Sequence, residues 1–216
     1  MTNAQEIKAT VVVGVVGGIA SGKSQVTRML GDLNGTIISA DEIAHRVLLE
    51  PDVIDSLVTL FGESILTERI NGNLTDRSID RKKLASLVFG NSEDCRTRRK
   101  KLEEVVHPRI RQIAKSDLET LKQDPNIRMI ILDAPLLIEG GWLAYCDRVI
   151  YIDSPDNVRK QRATERGWTE QEWQSRESAQ MSLSEKKKHA TDVLLNNGTI
   201  EELTQRVLEL NGKLRG

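Results

Sequence analysis

Apolar residues fall along the chain in short unbroken runs, separated by longer stretches in which they recur every third or fourth position. Unbroken runs suit strands buried on both faces, and the wider spacing suits helices with one apolar face. Strands are expected at 10–16, 36–38, 129–132, 148–152 and 193–195. Helices are expected at 23–30, 41–49, 155–165 and 199–210, the third with Ser154 as its N-cap and Pro155 in its first position. Strands alternating with helices build a parallel sheet, because each helix carries the chain back to the starting edge. The pattern therefore predicts an α/β fold with a mainly parallel five-stranded sheet flanked by helices.

The rhythm breaks once. The interval from Asp41 to Arg128 is far longer than a crossover needs. Inside it Asn71-Gly72-Asn73 marks a turn, and 81–89 and 93–105 read as helices. His107-Pro108 is expected to separate the second of these from another helix. The chain thus divides into a core, 10–40 with 128–216, and a mainly helical insertion, 41–127. The insertion either covers a ligand or only elaborates the fold.

Composition narrows the function. Among 216 residues, 31 Lys and Arg face 32 Asp and Glu, for a net charge of −1. A general nucleic-acid binder would be strongly basic, so no nucleic-acid partner is expected. No apolar run approaches the roughly 18 residues of a membrane span. The first ten residues lack a basic leader region, and the first apolar stretch runs straight into a glycine-rich loop. Cys95 and Cys146 are far apart and form no CxxC pair, and the three histidines join no metal-ligand cluster. These features fit a reduced, cytoplasmic setting.

The chemistry begins after the first strand. Gly17-Gly18-Ile19-Ala20-Ser21-Gly22-Lys23-Ser24 matches GxxxxGK[ST] between a strand and a helix, the context that validates a phosphate-binding loop. Small residues let backbone N–H groups of Gly18, Ile19, Ala20, Ser21 and Gly22 curl around phosphate oxygens, and the following helix adds its dipole. Lys23 is expected at the β- and γ-phosphates of ATP and Ser24 on Mg²⁺, with Gln25 closing the nucleotide-binding stretch. A GTPase would carry NKxD, whereas Asn196-Asn197-Gly198-Thr199 lacks both Lys and Asp. Asp133 is followed by Ala134-Pro135-Leu136, so no DxxG switch follows the third strand either. Small-molecule kinases are the class left standing.

A kinase also needs a site for the acceptor and a cover for the phosphates. Asp41 follows the second strand, at the carboxyl edge where doubly wound folds bind ligands. It can take the acceptor proton as a catalytic base, or simply cap the next helix. Asp133 ends an apolar strand in the Walker B manner, to bind Mg²⁺ or a water on it, or only to turn the chain. Residues 159–181 form a plausible lid: a basic helix with Arg159, Lys160, Arg162 and Arg166, a break at Gly167, then a helix opened by a Thr169–Glu172 capping box. Arg166, at the break, is the candidate that neutralises the transferring group. Arg96, Arg98, Arg99, Lys100 and Lys101 are either a solvated helix face or contacts for a second phosphorylated substrate.

Beyond the phosphate loop, an ordered set of motifs resembles the dephospho-CoA kinase family. It comprises Ala40-Asp41-Glu42-Ile43-Ala44-His45, Asp80-Arg81-Lys82-Lys83-Leu84, His107-Pro108-Arg109-Ile110, Pro135-Leu136-Leu137-Ile138-Glu139, the spacing of Arg162, Arg166, Arg176 and Gln180, and Asn196-Asn197-Gly198. The resemblance covers nearly the whole chain. It implies ATP- and Mg²⁺-dependent phosphorylation of the ribose 3′-hydroxyl of dephospho-CoA, an acceptor-binding helical insertion and a lid. By the same resemblance Asp41 is the base, Arg81, His107, Pro135, Leu136 and Glu139 serve the acceptor, and Asn197 serves the nucleotide. A kinase for nucleosides or nucleotides would share the loop and lid without these later motifs. Two positions depart from the family pattern. Ala20 replaces a usual glycine, which is harmless if its φ is negative. Ser39 replaces the first Asp of the usual Asp-Ala-Asp.

Overall fold

The computed structural model describes residues 10–67, 77–90 and 92–215, so the turn expected at Asn71-Gly72-Asn73 lies outside the described residues. Five strands, β1 (Val11–Gly17), β2 (Thr36–Ser39), β3 (Met129–Asp133), β4 (Arg148–Asp153) and β5 (Asp192–Leu195), form one sheet in the order β2-β3-β1-β4-β5. Every pairing is parallel. The apolar pattern stops short of the polar strand ends, but the hydrogen-bonded ladder does not. Ser39 pairs with Asp133, Gly17 with Ile152 and Asp153 with Leu195. The carboxyl edge of the sheet therefore carries the chemically active residue types.

Two compact units emerge, one reaching to Ser39 and resuming at Leu118, the other Ala40–Asp117. In the first, α1 (Lys23–Asp32) and α9 (Ile200–Arg215) cover one sheet face. Val26 and Leu30 from α1 and Leu203 and Val207 from α9 share a buried cluster with Val13, Val15, Ile131, Ile150 and Ile152. Alternate strand positions supply that cluster, as the pleat requires, and each fully buried aliphatic side chain contributes about 1.5–3 kcal/mol. Over the other positions of β1 and β4, Val12, Val16 and Val149 are buried as well, so both faces are covered.

One expected cap is corrected here. The helix α6 (Asp156–Glu165) has Pro155, not Ser154, at its N-cap. Ser154 is buried, and its hydroxyl lies 2.7 Å from the carbonyl of Asn196 and 3.0 Å from that of Ser21. Those distant carbonyls outcompete the local capping site. After α6 come α7 (Glu170–Ser178) and α8 (Leu183–Lys188). The helix α8 is not anticipated from the sequence; Ser182 opens it, its side chain accepting from the Glu185 N–H.

The second unit holds α2 (Ala40–Val47), α3 (Pro51–Phe61), α4 (Arg81–Val88) and most of α5 (Glu93–Lys122). Asp80 caps α4, accepting from the backbone N–H groups of Lys82 and Lys83. The break expected at His107-Pro108 is absent: α5 is one helix of 30 residues with Pro108 inside it. An interior proline costs about 3 kcal/mol. Val106, Ile110, Ala114 and Leu118 are all buried and recur at every fourth position, so a continuous anchored stripe runs past the proline and offsets that cost. Among the described residues no helix is long and apolar enough to cross a membrane. Both cysteines are free.

Candidate active site

Between β1 and α1 the chain makes the tight loop its glycines allow. Gly22 has φ 98°, a left-handed conformation, and a Cβ there would strike the Asn196 carboxamide. The ammonium of Lys23 folds back to donate to the carbonyls of Gly17 at 3.1 Å and Gly18 at 3.2 Å. From outside the loop, buried Asn196 donates its Nδ2 to the Ser21 carbonyl at 2.8 Å. Its Oδ1 accepts from Arg162 at 3.1 Å. Asn196 therefore ties the loop to α6. Its neighbour Asn197, the residue singled out from sequence, accepts from Arg206 instead and does not line the cleft described next.

Ala20 departs from expectation. Its φ is +59°, in the left-handed region that costs an L-alanine about 1–2 kcal/mol. Its methyl group is buried with Ala163 and Trp173, so packing holds the strained backbone in place.

The loop opens on a cleft of about 300 Å³ lined by Ala20, Ser21, Gly22, Lys23, Ser24, Gln25, Arg28, Arg162 and Arg166. Among the described residues four cations and no carboxylate border it. Arg162 and Arg166 stand one turn apart on α6, so both reach the cleft. Arg159, three residues before Arg162, faces elsewhere and is only 2% exposed. Arg28, not anticipated from sequence, sits one turn beyond Ser24 on α1, and its Nε donates to the Ser24 carbonyl. The segment 159–181 has the expected helix–break–helix form: Arg166 terminates α6, Gly167 has φ 80°, and the Thr169–Glu172 capping box opens α7.

Burial is the main cause that lowers the pKa of Lys23 to about 8; Lys186 lowers it further, while Asp133 and Glu177 oppose both. Burial likewise lowers Arg162, an effect Arg166 adds to and Glu165 opposes. These cations are held where water screens them poorly, and phosphate would restore the missing counter-charge. The protonated Lys23 is the form that attracts phosphate. ATP affinity is therefore expected to be level below about pH 8 and to fall above it, approaching about tenfold per pH unit. Nucleotide titration across that pH checks this, and a flat profile would contradict it.

Asp133, the last residue of β3, lies close enough to Lys23 to raise its pKa, and pairs in register with Ser39. A hydroxyl at Ser24 opening on a cation-lined cleft, with this carboxylate near Lys23, is a donor set suited to Mg²⁺ beside a polyphosphate.

Asp41 is the second residue of α2, inside its first turn rather than before it. Its carboxylate is exposed and has no hydrogen-bond partner among the described residues. Capping by Asp41 would require a bond to a backbone N–H of that turn. In the same unit, Arg81 Nη1 lies 2.7 Å from His45 Nε2. A guanidinium cannot accept, so the imidazole accepts there and carries its proton on Nδ1. His107 is exposed on α5. The basic run of α5 pairs largely along its own helix: Arg96 with Glu93, Arg98 with Asp94 and Arg99 with Glu103.

Past β3, Pro135 is exposed and Leu136 half-buried. Glu139 accepts from the Met181 N–H at 2.9 Å and lies 3.9 Å from the buried Lys186 ammonium. Lys186 itself donates to Gln180 at 2.7 Å. Glu139 thus organises the chain just beyond α7.

Four clustered cations around so small a volume call for a polyanion, and this loop, on the central strand of a parallel sheet, presents them to phosphate groups. Without guanine-reading or switch motifs, the molecule is a P-loop kinase in class. The family model described as dephospho-CoA kinase matches residues 11–202. The dephospho-CoA kinase of Rhodopirellula baltica is 39% identical over 199 residues, covering 92% of this chain and 88% of its own. That of Geobacillus kaustophilus is 39% identical over 204 residues, 93% of this chain and 95% of its own. A solved dephospho-CoA kinase from Campylobacter jejuni matches with a TM-score of 0.69 and 25% identity, over 94% of this chain and 96% of its own. The chain belongs to the dephospho-CoA kinase family.

Proposed function

We propose that this protein transfers the γ-phosphoryl group of ATP to the ribose 3′-hydroxyl of dephospho-CoA, giving coenzyme A and ADP in the last step of coenzyme A biosynthesis. The observation that carries this is the extent of the family match, which runs from β1 through the insertion and lid into α9. A match owed to the phosphate loop alone would end near α1.

In this reaction the acceptor oxygen attacks the γ-phosphorus, and the bond to the β–γ bridging oxygen breaks. The acceptor proton passes to Asp41 and then to solvent. Negative charge gathers on the departing oxygen and on the transferred group, where Lys23, Arg162 and Arg166 meet it. Arg28 adds charge at the mouth of the same cleft. Ser24 and Asp133 would hold Mg²⁺, which supplies further positive charge at the phosphates when bound. The family resemblance assigns Arg81 and His107 to the acceptor, and likewise Pro135, Leu136 and Glu139. From the turn after β5 it is Asn196 that supports the nucleotide loop, while Asn197 is held by Arg206. Both substrates are phosphorylated small molecules, and a cytoplasmic setting is part of this proposal.

A coupled ADP-release assay tests the assignment, with dephospho-CoA, nucleosides and nucleoside monophosphates offered side by side. Dephospho-CoA is expected to be used far better than the others, and the product to carry a 3′-phosphate. An inert dephospho-CoA alongside a good nucleoside substrate would sink it.

A further inference from the structure

The apex of the phosphate loop is gripped from outside by charged residues that do not line the cleft. Ile19 donates its backbone N–H to Glu177 Oε2 at 3.1 Å, and its carbonyl accepts from Arg159 Nη1 at 3.3 Å. The same Arg159 nitrogen lies 2.7 Å from Glu177 Oε1, and Arg159 Nη2 lies 2.6 Å from Asp156. Both polar groups of one peptide residue are therefore bound to two side chains that are bound to each other.

Everything around this pair is fitted to it. The guanidinium is buried and sits 5.3 Å from the centre of the Trp173 ring. A Cβ on Gly18 would collide with Arg159, so only glycine leaves room for it against the loop. Trp173 and Ala163 then close over the methyl group of Ala20, the residue next to Ile19. A buried guanidinium is costly unless its charge is met, and here two carboxylates meet it.

Ala20 explains why such a device exists. A left-handed alanine survives only where its surroundings over-determine it. Released, it would drift to negative φ, break the bond from the Ser21 N–H to the Gly18 carbonyl and turn the following N–H groups of Gly22 and Lys23 away from the phosphates. We infer that Arg159 and Glu177 form a clamp on Ile19 that imposes the left-handed conformation of Ala20, making both of them positioning residues for the nucleotide. Because α6 and α7 carry the clamp, the shape of the phosphate loop is coupled to the helices that carry Arg162 and Arg166. A glycine at position 20 would need no such device, since glycine adopts positive φ freely.

The inference rests on the nucleotide half of the proposed function and not on the acceptor. The test therefore reads ADP binding directly, by calorimetry, and an incorrect acceptor would leave it intact. Glu177→Ala is expected to weaken ADP binding about tenfold, the population cost of an unsupported left-handed alanine. In an Ala20→Gly background the same substitution is expected to cost less than about threefold, since the strain is gone. Glu177→Gln, which keeps an acceptor for the Ile19 N–H but loses the charge facing Arg159, should fall between alanine and the wild type. It also serves as the test if the alanine variant does not fold. Melting temperatures recorded alongside separate positioning from stability. An unchanged ADP affinity in Glu177→Ala, or an equal loss in the alanine and glycine backgrounds, would overturn the clamp. So would a Glu177→Gln protein weaker than Glu177→Ala.

Discussion

Lys23→Ala is expected to remain folded and to turn over at least 10²–10³-fold more slowly, the loss typical of removing one preorganised charge from a transition state. The size of the effect follows from where the ammonium sits. It is buried enough to have its pKa lowered to about 8, so its field at a phosphate is poorly screened by water. Its partners without nucleotide are carbonyls of its own loop, those of Gly17 and Gly18. Its removal ends the attraction of Asp133 and Glu177, but it also removes a desolvated charge, the larger effect on this lysine. The melting temperature should therefore hold or rise slightly. Steady-state kinetics and a thermal melt on the same preparation check both halves. A variant with near-wild-type kcat would show that the loop does not serve phosphoryl transfer.

Asp41→Asn should lower kcat by about 10²-fold at saturating ATP and dephospho-CoA. General-base catalysis contributes roughly 10²–10⁴-fold, and a loose phosphoryl transition state asks less of the base, which selects the lower end. Two explanations of Asp41 stood side by side in the sequence, base and helix cap. The exposed carboxylate has no hydrogen bond to the first turn of α2, so asparagine takes nothing structural away and the melting curve should barely move. Ser39→Ala should cost much less, because a hydroxyl is no base near neutral pH. A loss below about threefold in Asp41→Asn would send the acceptor proton elsewhere.

What could be read from sequence was what local chemistry fixes. Valine and isoleucine runs located all five strands, and GxxxxGK[ST] located the loop, because each pattern acts within a few residues of itself. Misjudged features depend on distant partners. Pro108 ends a helix by every local rule, yet the stripe from Val106 to Leu118 carries α5 past it. Ser154 resembles a cap until the carbonyls of Ser21 and Asn196 are brought to it. Asn196 reaches Ser21 across 175 positions, and Arg159 reaches Ile19 across 140. Contacts so long-range leave no periodicity behind. Arg159 read as one more lid cation, and only the fold separates it from Arg162 and Arg166.

The order of the sheet has a consequence for how the protein is made. Among the described residues β1 pairs with β3 and β4 alone, and β2 with β3 alone. A ribosome therefore releases two valine- and isoleucine-rich strands long before either has a neighbour, since the first partner starts at Met129. At about 5–20 residues per second, β1 waits roughly 5–20 s between its own synthesis and that of β3. During that interval its backbone has no ladder and its apolar side chains have no sheet to join, a state prone to aggregation. Nascent chains arrested before Met129 should accordingly be held by chaperones, and chains arrested after Asp153 should hold them far less.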